Sequence, residues 1–135
     1  MRQDAQMVRD SFALIREMSI PTAMLFYGRL FDLDPSLREL FHVDFKAQST
    51  KLMDTLALVV DSVDRLDQLR PTLRELGRRH VDYGVQPQHY ETVSTALLWA
   101  LAQAMQPDFD AEVKGAWVRI LGEVCREMLE GAAEA

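Results

Sequence analysis

At 135 residues the chain has the length of one domain, and 21 acidic against 15 basic residues, interleaved along it, give a net charge of −6. This balance argues against nucleic acid or an anionic membrane surface as a partner, since Arg78 and Arg79 make only a local basic spot. No apolar run approaches the roughly 20 residues that cross a bilayer, and MRQDAQMVRD lacks the apolar core of a signal peptide, so a single cytoplasmic domain over residues 1–135 is expected.

Apolar residues recur every three or four positions nearly throughout, without the sustained alternation of strands, and predict an all-α protein. A first helix is expected over 5–18, carrying Met7, Phe12, Leu14 and Ile15. Pro21 suits a first helical turn, so a second helix runs over 21–33 with Met24, Phe26, Tyr27, Leu30 and Phe31. Asp34-Pro35-Ser36 breaks it, and a short helix leads to Phe41. Residues 42–45 read as a connector to a long helix over 47–63. Another spans 67–80, with Gly84 beyond it as terminator. The last two helices, over 87–105 and 111–130, are separated by Gln106-Pro107-Asp108, and the tail EGAAEA carries no packing signal and is expected to fray.

Cys125 is the single cysteine, so neither an intrachain disulfide nor a thiolate cluster is possible, and a metal must be held by histidine, carboxylate or a cofactor. Phosphate-loop, His-Glu-x-x-His and Gly-x-Ser-x-Gly patterns are absent. The acidic pairs Asp108/Asp110 and Glu123/Glu127 are read as solvated surface. Of the three histidines, His42 falls in the connector and His89 in the polar stretch QPQHY. His80 differs: Leu69, Leu73, Leu76 and His80 recur at helical spacing along one face. A histidine so placed is either a core residue hydrogen-bonded to a carbonyl or a ligand. One protein nitrogen is too few for a bare transition metal but suffices for haem, whose porphyrin supplies four more.

The segments LFYGRLF, the Pro35 break, ELF ending at Phe41, and LGRRHVDYGV followed by HYETV resemble, in order and spacing, the globin family. Within it the likeness is to single-domain bacterial globins related to the globin part of flavohaemoglobins, and it covers about residues 8–130. The resemblance implies a helical sandwich around haem b. It makes His80 the proximal iron ligand, Phe41 the aromatic packed on the haem, and Tyr27 a hydroxyl donor to ligand at the iron. It places Gln48 at the distal position, sharing a helical face with Leu52, and adds Leu76, Val85, Tyr90 and Val93 to the pocket, with Lys51 near a propionate. Considered without the family, Tyr27 reads equally as a buried tyrosine bonded to a carbonyl, and Gln48 and Lys51 as surface residues.

Two distal donors, Tyr27 and Gln48, imply tight binding of oxygen, which gathers negative charge at iron, and a smaller gain for carbon monoxide. On the proximal side, Tyr90 matches a tyrosine that assists the ligand in flavohaemoglobin-type globins, but the matching glutamate position falls on Ala132, with Glu127 and Glu130 the nearest acids. A backbone carbonyl near Leu76 is the simpler expected partner of His80. The expected function is oxygen binding, storage or transport. The alternatives are nitric oxide detoxification by dioxygenation, dependent on an external reductase because no flavin or nicotinamide domain is seen, a gas sensor, and a haem-free helical module.

Overall fold

The computed structural model describes residues 2–41 and 44–134. Six helices carry the fold: α1 (Arg2–Ala13), α2 (Ser19–Leu33), α3 (Phe45–Asp61), α4 (Leu66–Asp82), α5 (His89–Met105) and α6 (Ala111–Ala133). Two 3₁₀ segments, Arg16–Met18 and Pro35–Leu40, link α1 to α2 and α2 to α3. There is no strand among the described residues, as the periodicity predicts.

The boundaries differ from the expectation where local chemistry outweighs the apolar pattern. The first helix stops at Ala13, and the tightening that follows buries Ile15 completely while leaving Leu14 exposed. The third helix begins two residues early because the Asp44 carboxylate accepts the Lys46 N–H at 2.9 Å, an N-cap that brings Phe45 into α3 instead of the connector. His42 lies outside the described residues. Asp34 likewise caps the first 3₁₀ residues of 35–40, accepting from Ser36 N–H at 3.1 Å.

The helices bury one contiguous apolar core, with α2 laid on α3 and α5, and α6 in contact with α1, α4 and α5. Trp117 of α6 is fully buried, and its indole Nε1–H donates to the Ser11 hydroxyl of α1 at 2.8 Å. Ser11 in turn donates to the Val8 carbonyl at 3.1 Å, so no polar atom of this contact goes unpaired. Asp4 of α1 receives two bonds from Arg119, at 2.6 and 2.8 Å, which hold its carboxyl below the usual carboxylate value.

The most extensive helix contact joins α4 to α6, and it corrects two expectations. Glu127 is not solvated surface: it is buried and takes Arg70 Nε at 3.2 Å and Arg74 Nε at 3.1 Å. The tail does not fray after Glu130, since α6 continues to Ala133, Gly131 is buried, and Glu130 and Glu134 pair with Arg74 and Arg78. Arginines four residues apart on α4 make this ladder available only to a helix lying across them, which no local pattern in α6 announces.

The Ser11 bond yields a direct expectation. In Ser11→Ala the fully buried indole N–H loses its acceptor, at a cost of about 1–3 kcal/mol, to be read as a lower midpoint of denaturant unfolding followed by tryptophan fluorescence; an unchanged midpoint refutes the assignment.

Candidate functional site

His80 sits two residues before the end of α4, and that end is closed by a glycine turn. Gly84 has φ +90°, a conformation that costs side chains with a Cβ dearly, and its N–H bonds the Val81 carbonyl at 3.0 Å. Val85 N–H bonds the carbonyl of His80 itself at 3.0 Å. The backbone of His80 is thus held from both sides of the turn. Its imidazole is held as well, because Nδ1 lies 2.7 Å from the Leu76 carbonyl one helical turn back. A carbonyl only accepts, so Nδ1 carries the proton and Nε2 presents a lone pair. Burial pushes His80 below its usual pKa and favours the neutral ring, the form that ligates.

The predicted stripe of Leu69, Leu73, Leu76 and His80 divides in two. Leu69, Leu73 and Gly77 are buried, while Leu76 and His80 lie half-buried beside them. The same division recurs on α3, where Ser49, Met53, Leu56 and Val60 are buried and Phe45, Gln48, Leu52 and Thr55 form a half-buried row at helical spacing. Phe41, Val85 and Val93 are also half-buried and packed against the core. Lys51 is exposed.

Tyr27, buried on α2, is brought to Gln48 and Phe41. Its hydroxyl donates to the backbone carbonyl of Gln48 at 3.4 Å, a long bond that leaves the proton weakly committed. Burial pushes the hydroxyl up to about 12, so the proton stays on at neutral pH. The ring meets Phe41 edge-on at 5.5 Å and Phe45 at 5.6 Å, and Phe31 stacks at 6.2 Å. Phe31 and Phe45 were missed as site residues; the Asp44 cap was the available signal for Phe45, since it turns a connector residue into an inward helical one. The end of the 35–40 segment also lies near the α4 turn: a Cβ at Gly84 would stand 3.2 Å from Leu40 Cδ2.

Tyr90 does not join His80. Its hydroxyl is buried with no hydrogen-bond partner, and burial, followed by the nearby Cys125, raises its pKa. The acids nearest the expected proximal position are engaged elsewhere, Glu127 with Arg70 and Arg74, Glu130 with Arg74. No three His, Cys, Asp or Glu side chains converge as a metal site among the described residues. One oriented neutral imidazole, a buried tyrosine hydroxyl held only by a long bond, and rows of half-buried apolar side chains form a donor set that fits haem.

Comparison with known proteins agrees with this geometry. The family model described as Globin matches residues 25–128. Among curated proteins, neuroglobin of Tetraodon nigroviridis is 29% identical over 98% of this chain and 92% of its own length, and neuroglobin of Danio rerio 28% over the same shares. Among solved structures, an engineered carbene transferase made from a candidate nitric oxide dioxygenase of Rhodothermus marinus superposes with TM-score 0.88 at 25% identity, covering 99% of this chain and 94% of its own. A bacterial globin of Campylobacter jejuni shares the fold, with TM-score 0.87 at 19% identity over 99% of this chain and 97% of its own. No helix among the described residues is long and apolar enough to cross a membrane. With a family match over most of its length and an imidazole, a tyrosine and an aromatic cluster arranged as described, the chain belongs to the globin family.

Proposed function

We propose that this globin binds oxygen reversibly and with high affinity, with His80 as the proximal ligand of haem b and Tyr27 and Gln48 as distal donors. The observation that carries the reading is the His80 Nδ1 bond to the Leu76 carbonyl, which leaves the Nε2 lone pair available to a metal. Haem supplies, when bound, a ferrous iron that takes a diatomic gas. The protein's part is to hold that site and bias it. Leu76 orients the imidazole, and Phe41, Leu52, Val85 and Val93 supply apolar walls that exclude water. Lys51, exposed in the second turn of α3, is available to a propionate. Tyr27 keeps its proton and can turn its hydroxyl from the 3.4 Å bond toward a gas ligand that bears negative charge, where a low dielectric strengthens the bond. The Gln48 amide is a second donor and a poor iron ligand, so the distal side stays open to oxygen, carbon monoxide or nitric oxide.

A second reading, nitric oxide dioxygenation, is favoured by the likeness to the Rhodothermus marinus protein. The same donors serve it, but sustained turnover needs electrons from a separate reductase. Nitric oxide consumption with a cellular reductase extract separates the two: sustained turnover selects the enzyme, a single stoichiometric reaction the binder.

Purified protein should show a haem Soret band, and His80→Gly should lose the histidine axial signature; a full-strength, unaltered band in the variant overturns the proximal assignment. Tyr27→Phe should speed oxygen dissociation about tenfold or more, since a bond to a charged partner contributes roughly 1.5–3 kcal/mol. Stopped-flow measurement that finds the wild-type rate removes Tyr27 from the distal role.

A further inference from the structure

The helix that carries His80 touches α6 backbone to backbone at two reciprocal points. A Cβ built on Gly77 of α4 would overlap the Met128 carbonyl of α6, and one built on Gly131 of α6 would overlap the Arg74 carbonyl of α4. Gly77 is buried inside α4, where glycine otherwise only weakens the element, and Gly131 is buried in the last turn of α6, so close approach is what they serve. We propose that Gly77 and Gly131 are positioning residues that set where His80 stands, an inference that rests on the reading of His80 as the haem ligand.

Three features lead there. Repulsion between backbones in contact rises steeply with approach, whereas the Arg74–Glu130 and Arg78–Glu134 pairs flanking the crossing are between a third and just over half exposed, and the buried Glu127 is met only by partly exposed arginines at 3.1 and 3.2 Å, so the ion pairs yield more readily. The glycine contacts, not the charges, then fix the separation. Gly77 precedes His80 by three residues in an unbroken helix, and the ring is tied to that helix through Leu76, so a displacement at the crossing reaches the imidazole with little loss. Finally, the other means of tuning a proximal histidine is missing: Nδ1 bonds a carbonyl and not a carboxylate, and Glu127 and Glu130 are held by arginines. The height of α4 is the lever that remains.

The test is resonance Raman spectroscopy of the ferrous haem-loaded protein, reading the iron–histidine stretching band, with carbon monoxide association measured alongside. In Gly77→Ala and Gly131→Ala the helices must part by about 1 Å or more. The Soret band should persist, the stretching band should shift, and carbon monoxide association should change by about threefold or more. A lowered melting temperature with band and rate unchanged would show that the glycines serve stability alone, and the proposal fails. Should neither variant fold, Glu130→Gln/Glu134→Gln decides, because it loosens the exposed pairs and leaves both the Glu127 pairs and the backbone contact: an unmoved band supports the glycines, a shifted one overturns them. Wild-type protein that takes up no haem would instead remove the underlying reading of His80.

Discussion

One hydrogen bond organises the chemistry of this globin, that between His80 Nδ1 and the Leu76 carbonyl. A helix normally uses that carbonyl for the N–H four residues on, and sharing it with the imidazole converts a flexible side chain into an extension of α4. It settles the tautomer, the direction of the remaining lone pair and the electron-donating power of the ring together. A carbonyl partner leaves the imidazole a moderate donor; a carboxylate would make it a stronger one. With His80 as the proposed iron ligand, this partner suits a binder of ligand more than an activator of it.

The proposed distal donor is held by a different principle. Tyr27 is immobilised by its ring, edge-on to Phe41 and Phe45 and stacked on Phe31, while its hydroxyl is held only by a long bond. Rigid placement with a loosely engaged proton is what a donor requires if it is to respond to charge that arrives with a ligand, because little must be broken before the new bond forms. Aromatic packing, more than polar contact, thus prepares the polar function.

Much of this was legible in the sequence. Helical periodicity marked the all-α class, and the glycine after the last apolar position of the 67–80 segment marked the α4 terminus that positions His80. A backbone carbonyl near Leu76 was the simpler expected partner of the histidine, and the Leu76 carbonyl, one turn before it, is the one it meets. What could not be read were relations between distant segments. Glu127 looks like a surface acid until Arg70 and Arg74, more than fifty residues away, are laid against it. Gly131 looks like part of a fraying tail because a glycine's use lies in what approaches it, and only the fold brings the Arg74 backbone there. Phe45 was lost to a boundary error of two residues, set by a cap whose acceptor the apolar pattern does not register.

The position of α6 in the chain bears on how the molecule is made. Trp117 joins α1 through Ser11 across 106 residues, Arg119 reaches Asp4 across 115, and Glu130 and Gly131 meet α4 across some fifty more. Contacts of this separation close loops that span most of the domain, so the chain between α1 and α6 must be ordered before they form. Docking of α6 is consequently a late step in folding, and the helices it joins gain their mutual support only once it is in place.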